Sequence, residues 1–328
     1  MIFCRAFDAH AEDSHADDSA RLLASSDFFV EDRNVVDFGI GTRLSRGVQA
    51  MGVVSKFLVV ALKDLSEGAA GEMVLYVTVD ARRWAKAHFP HSSSSRLREK
   101  SYTIVESTTH SLAIDVQSHN SRNIGTLFVS NSNGTYFVES LKNTHRSDFG
   151  YVDFEDLVNI EGVGLANYVQ NAREIDGGSS SVLKLKTVIT YDDGSSWSPL
   201  RPPQRDMHER PYRCDINDIG TCALHLHSVS TPHNFGRVFT STAPGFVLGV
   251  GSVGEYLEDY SQCDTYFSRD AGETWKQIRH GAHKYEFGDQ GNIMVVMNDE
   301  EPDNHIRYSI DSGETWCAIL SQSEEVQN

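Results

Sequence analysis

The chain alternates short apolar runs with polar, glycine-containing turns, and helical 3.6-residue spacing is scarce. Val35-Val36-Asp37-Phe38-Gly39-Ile40-Gly41 reads as a strand running into a glycine-rich turn. Lys56-Phe57-Leu58-Val59-Val60-Ala61-Leu62 is unbroken apolar after the lysine, as expected of a strand covered on both faces. Met73 to Asp80 alternates with the two-residue period of a strand. Strands are also expected at Tyr102 to Val105, Leu112 to Val116, Thr126 to Val129, Leu183 to Tyr191, Phe246 to Val250, Thr265 to Phe267, Ile293 to Met297 and Ile306 to Tyr308.

Several of these runs end in one phrase, S/T-x-D-x-G-x-S/T-W. Its copies carry Ser268, Asp270, Gly272, Thr274 and Trp275; Ser309, Asp311, Gly313, Thr315 and Trp316; and Thr190, Asp192, Gly194, Ser196 and Trp197. The phrase has a mechanical reading as a hairpin turn. The glycine supplies positive φ, the hydroxyl and carboxylate cap the turn's own backbone, and the Trp re-enters the sheet as an apolar wedge. Every residue has a structural task, so this Asp box signals a repeat fold rather than chemistry. Two decayed copies are visible. Thr78-Val79-Asp80 with Trp84 lacks the glycine, and Ser130 to Phe137 has Ser132 for the Asp and Phe137 for the Trp. With positions 80, 132, 192, 270 and 311 as markers, the intervals are 52, 60, 78 and 41 residues. Four short strands per roughly 40–50 residues is the blade pattern of a propeller. The expected fold is all-β, a β-propeller segment of about five four-stranded blades. The longest interval holds an insertion, 201–232, carrying Cys214 and Cys222.

Residues 1–27 are acidic and rich in histidine and are expected to form a disordered head. His10, Glu12, Asp13 and His15 could be drawn as metal ligands there, but a solvated tail is the simpler reading. Residues 28–320 are assigned to the propeller segment and 321–328 to a tail. The residues after Met1 lack an apolar h-region, so no signal peptide is expected, and the run Phe57 to Leu62 is far too short to span a membrane.

The formal net charge of −17 argues against nucleic acid and anionic membrane surfaces as partners, because both need a basic face. Nothing in the sequence asks for a cofactor. The five cysteines make an odd count, which is not a finished disulfide framework. Cys214 and Cys222 could pair, remain free, or join His225 and His227, which would share a strand face, in a metal site. C-x7-C-x2-H-x-H is not a standard zinc spacing, so no metal is expected. Asn133-Gly134-Thr135 is a glycosylation sequon, relevant if the chain is lumenal. Asp boxes also decorate sialidases and other glycosidases, whose chemistry needs paired carboxylates or a Tyr–Glu nucleophile pair, and in sialidases an arginine cluster. The arginines Arg201, Arg205, Arg210 and Arg213 crowd one insertion. Asp192-Asp193 and Glu300-Glu301 sit in turn sequences, where solvated hairpin residues are the simpler reading.

The chain resembles the sortilin-type vacuolar protein sorting receptor family over about Val35 to Ile319. The resemblance rests on Lys186 to Gly194 followed by Trp197, on Cys214 and Cys222-Ala223-Leu224-His225-Leu226-His227, on Gly251-Ser252-Val253-Gly254, and on Tyr285 to Gly291. It implies part of a lumenal ten-bladed propeller, incomplete relative to that ring. It also implies a Cys214–Cys222 disulfide and a receptor that carries soluble cargo, such as vacuolar hydrolases, from the Golgi to the vacuole or endosome. The family's ligand-holding arginine and nearby tyrosine fall on Lys56 and Tyr102. The family's signal peptide, remaining blades, cysteine-rich modules and membrane span find no counterpart in the sequence. A fragment or truncated gene product is therefore expected, one whose open ring would expose strand edges and favour self-association.

Overall fold

A computed structural model describes residues 1–7, 16–65, 72–90, 102–108, 110–117, 123–178, 182–228, 243–302 and 304–320. The chain is built of antiparallel sheet and divides into two compact units, Met1–His119 with Gly125–Lys142, and Asn120–Ile124 with Asn143–Asn328.

The first unit opens with a three-stranded sheet, Ile2–Ala6, Arg21–Ser25 and Asn34–Val35. Blade I follows as Val48–Val54, Phe57–Lys63, Met73–Thr78 and Ala85–Lys86. Blade II is Tyr102–Ser107, Leu112–Gln117, Ile124–Ser130 and Phe137–His145. The unbroken apolar run at Phe57 is explained by the two-residue period of a strand. Phe57, Val59 and Ala61 enter one hydrophobic core with Leu112, Ile114 and Phe128 of blade II. Val60 and Leu62 enter another with Leu22 and Phe38. A strand buried on both faces has no room for polar alternation. Burying a side chain such as Phe57 stabilises the fold by roughly 1.5–3 kcal/mol.

In the second unit, blade III is Phe154–Asp156, Gly164–Val169, Leu185–Thr190 and Ser198–Pro199, with a short helix, Ala172–Asp176, after the second strand. Blade IV is Ala223–Leu226, Val247–Gly254, Asp264–Ser268 and Lys276–Arg279. Blade V is His283–Gly288, Ile293–Asn298, His305–Ser309 and Cys317–Leu320. The same period works here. Val247 and Tyr266 of blade IV pack with Leu165, Ile189 and Leu200 of blade III, while Leu248 and Phe267 pack with Met294 and Val296 of blade V. In every blade the expected Asp box, intact or decayed, joins the third strand to the fourth.

One expectation needs correction. Residues 2–6 and 21–25 lie within the expected disordered head, yet they are paired strands. Leu22 is fully buried, Arg5 Nε donates to the Val48 carbonyl at 2.6 Å, and Lys63 meets Asp18 at 2.6 Å, so the acidic composition concealed apolar and ion-pair anchors. The strand expected to run from Val35 into a glycine-rich turn ends at Val35. The Asp37 carboxylate accepts the N–H groups of Gly39, Ile40 and Gly41 at 2.9, 3.1 and 2.8 Å, which forms the glycine-rich turn expected after it. His10, Glu12, Asp13 and His15, residues 229–232 of the insertion and the tail 321–328 lie outside the described residues.

Candidate functional site

The Asp-box hairpins are stereotyped. Ser268 Oγ donates to Asp270 Oδ1 at 2.8 Å and accepts the Gly272 N–H at 2.9 Å, while Asp270 Oδ1 accepts the Thr274 N–H at 2.9 Å. The hairpin at Ser309 repeats these bonds at 2.8, 2.8 and 2.9 Å, and that at Thr190 at 2.8, 2.9 and 2.8 Å. Trp275 and Trp316 donate their indole N–H to the carbonyls of Gly272 and Gly313. The hydroxyl and N–H of Thr315, with Ser309, hold the Asp311 carboxyl down at about 2, an ionised cap rather than a proton donor. Asp192 is lowered in the same way by Ser196. The Glu300-Glu301 pair likewise lies in a turn, its N–H groups bound to Asn298 Oδ1.

The degenerate copies behave differently. Thr78 and Asp80 keep the hydroxyl–carboxylate bond at 3.0 Å, with Ala81 at φ 57°. In the copy at Ser130 the acceptor's task belongs to Asn131 and not to Ser132. Asn131 Oδ1 accepts the N–H groups of Thr135 and Tyr136 at 3.0 and 3.3 Å. A further hairpin escaped sequence reading altogether. Ser25 Oγ binds Asp27 Oδ1 at 2.8 Å, accepts the Phe29 N–H at 2.7 Å, and Asp27 Oδ2 accepts the Glu31 N–H at 2.8 Å. Phe28 and Phe29 adopt φ 61° and 64°, where Ala271 and Gly272 have 59° and 89°. Ser25-Ser26-Asp27 was the available signal, but with no glycine or tryptophan downstream it does not match the motif.

The two ligand residues expected from the family resemblance are both in the first unit. Lys56 is exposed in the two-residue turn between the first two strands of blade I, after Ser55 at φ 50°, and its ammonium lies 5.1 Å from the centre of the Phe57 ring. Tyr102 starts blade II opposite Val116 and packs against the blade I–II core; burial pushes its phenol up to about 12. Lys56 therefore offers a mobile cation and Tyr102 a neutral hydroxyl on an apolar body.

In the second unit Cys214 and Cys222 form a disulfide, with sulfurs 2.08 Å apart, so neither thiol is left to bind a metal. His225 and His227 do other work. His225 Nδ1 accepts the Thr187 N–H at 3.0 Å, and burial, then the charge of Lys186, pulls its pKa down to about 4. His227 Nε2 meets the Glu258 carbonyl at 3.0 Å. Around them runs a buried polar network that sequence reading missed. Asp153 holds His145 at 2.8 Å and the Asn167 amide at 3.1 Å, and Thr187 donates to Asn167 at 2.6 Å. Asn167 and Thr187 then bind the Leu226 main chain, joining blade III to the first strand of blade IV. Among the described residues no group of His, Cys, Asp and Glu side chains could hold a metal ion.

Several four-stranded antiparallel sheets, with Asp-box hairpins joining third strands to fourth, define the class as a β-propeller segment. A family model described as "Sortilin-Vps10: Sortilin, neurotensin receptor 3" matches residues 1–327, and the chain belongs to this family. It is 57% identical over 317 residues to "Vacuolar protein sorting/targeting protein 10" of Laccaria bicolor, covering 96% of this chain and 21% of the relative. The proteins of the same name from Mycosarcoma maydis and Aspergillus oryzae are 49% and 40% identical, over 91% and 92% of this chain and 19% of each relative. The chain thus spans about a fifth of these relatives' length. Among solved structures, a GH74 xyloglucanase from Xanthomonas campestris aligns with 92% of this chain and 43% of its own, at 13% identity and a TM-score of 0.32.

Proposed function

We propose that this chain is the part of a sorting receptor that binds soluble cargo proteins, vacuolar hydrolases among them, in the Golgi or endosome lumen for delivery to the vacuole. The observation that carries this reading is the 57% identity to a vacuolar sorting protein across 96% of the chain. Residues 28–320 form the propeller segment in this reading, 201–232 its cysteine-bearing insertion and 321–328 a tail. Lys56 and Tyr102 contribute a cation and a phenol to peptide recognition. Asn133, exposed in a hairpin of blade II, is the glycan acceptor. No helix among the described residues is long and apolar enough to cross a membrane.

The reading treats the chain as a binder and not a catalyst. It is supported by the Asp-box carboxylates, whose lone pairs are occupied within their own hairpins. Biolayer interferometry of the purified chain against soluble vacuolar hydrolases is the direct test. Saturable binding that weakens in Lys56→Ala and Tyr102→Ala is expected. Absence of binding to every hydrolase tried, together with turnover of fluorogenic sialosides or glycosides, would replace the receptor reading with the glycosidase one.

A further inference from the structure

The second unit carries a cavity of about 520 Å3 where the disulfide-bearing insertion meets the third and fourth strands of blade IV. Its wall is built around a chain of hydrogen bonds. The phenols of Tyr212 and Tyr266 share one. Tyr212 then donates to Gln277 Oε1 at 3.2 Å, and Gln277 Nε2 donates to Asp264 Oδ2 at 2.8 Å. Asp264 Oδ1 accepts the Gly281 N–H at 2.8 Å and meets His280 Nδ1 at 2.7 Å. Tyr266 and Gln277 are buried, and burial pushes both phenols up, so they stay neutral. Bonds in such a chain polarise one another and hold their side chains in place before a ligand arrives.

The rest of the wall carries both signs of charge. Asp206 Oδ2 accepts Arg210 Nε at 2.8 Å. Arg213 stands next to Cys214, whose bond to Cys222 fixes the insertion. Glu258 is held by its main chain on both sides. Its N–H donates to Ser252 Oγ and its carbonyl meets His227 Nε2, each at 3.0 Å. A cationic ligand would face Arg210 and Arg213, and an anionic one would face Asp206, Glu258 and Asp264. A hydroxyl donates and accepts at once, so a neutral polyol answers both kinds of group without a charge of its own. Tyr212 is half-buried on the same wall, and the electron-rich face of a phenol attracts the C–H face of a pyranose ring. The volume lies within the range of small-molecule sites, roughly 300–1,000 Å3.

We propose that this cavity binds a neutral oligosaccharide, with Arg213 and Glu258 bonding its hydroxyls and Tyr212 packing against a pyranose ring. The inference stands on the cavity's wall and not on the cargo reading, and it does not involve Lys56 or Tyr102.

Calorimetric titration of the full chain tests it with mannotriose and cellotriose as neutral probes, the glucosamine trimer as a cationic one and trigalacturonate as an anionic one. At least one neutral trisaccharide should bind saturably and about five-fold or more tightly than either charged one. Glu258→Ala and Arg213→Ala should each weaken that binding by about five-fold. Both residues are exposed, so these variants cover the case in which Tyr212→Ala, expected to weaken binding by about ten-fold, disturbs the insertion. Passage of ribonuclease B, which bears a neutral mannose-type glycan, and of its glycan-free form ribonuclease A over the immobilised chain identifies the source. Retention of the B form alone marks a protein-borne glycan, and retention of neither marks a free saccharide. No saturable binding of either neutral probe, a charged trisaccharide bound as tightly as the better neutral one, or wild-type affinity in both Glu258→Ala and Arg213→Ala would overturn the proposal. So would equal retention of the two ribonucleases.

Discussion

The hairpins at Ser25 and Ser268 make the same hydrogen bonds from different sequences. Both use a serine hydroxyl two residues ahead of an aspartate, and in both the hydroxyl receives an N–H from four residues downstream. They part at the position of the glycine. A Cβ on Gly272 would lie 2.6 Å from Ile189 Cδ1, so the buried Ile189 side chain would have to shift to admit it. A Cβ on Gly134 would similarly lie 2.7 Å from Val77 Cγ1. Phe29 holds the same left-handed backbone with a large side chain half-buried. The hydroxyl–carboxylate pair makes the turn, then, and the glycine is demanded by the neighbouring blade pressing on it.

Gly272→Ala breaks the comparison most directly. It combines left-handed strain with a clash against Ile189, and a loss of about 2–4 kcal/mol is expected from urea unfolding. Gly313→Ala should cost only about 1–2 kcal/mol, because its nearest neighbour at 3.0 Å is the flexible end of Met294. Equal losses would refute the packing explanation.

Acid should separate hairpin bonds from the polar network. His225 is pulled below its usual 6.5 to about 4 in the folded chain, so folding favours its neutral form. That contribution is complete above pH 6.5 and lost as pH falls toward 4, amounting to about 2 kcal/mol by pH 5. His225→Gln should flatten the fall in urea midpoint between pH 7 and 5.

Trp275→Phe removes the bond to the Gly272 carbonyl and part of a buried ring, and thermal unfolding should register a loss of about 1–2 kcal/mol. Phe28→Gly should act in the opposite sense. Phe28 is 80% exposed at φ 61°, so relief of strain is expected to stabilise the chain by about 1 kcal/mol. The smallest effect is a matching titration. Asp27 is lowered to about 2 by the N–H groups of Glu31 and Asp32 and the Ser25 hydroxyl, as Asp311 is by its own hairpin. Both contributions are present above pH 3.8 and disappear as pH falls through about 2. Carboxyl NMR shifts of the two residues should titrate together, and an ordinary midpoint for Asp27 would remove it from the Asp-box class.

Legibility followed burial. The strands at Phe57, Leu112 and Val247 announce themselves because packing on both faces requires apolar runs. Val48–Val54 did not, because its middle residues are open to solvent and its sequence lacks a period. Lys56 was expected at the start of an inner strand and lies instead in the turn before it, since the strand begins at Phe57. Asn131 was passed over for Ser132 because alignment followed the glycine, whereas the N–H groups of Thr135 and Tyr136 converge on the side chain one residue earlier.

By itself the sequence determined the all-β class, the sites of the intact hairpins and the family, because those depend on local turn chemistry and on runs of apolar residues. Only the tertiary structure decided which glycines lie against a neighbouring blade, that Ser25 opens a hairpin of the same kind, and that His225 is an acceptor in a buried network. Each of these depends on atoms from strands distant in sequence, and a linear pattern holds no record of which side chains will meet.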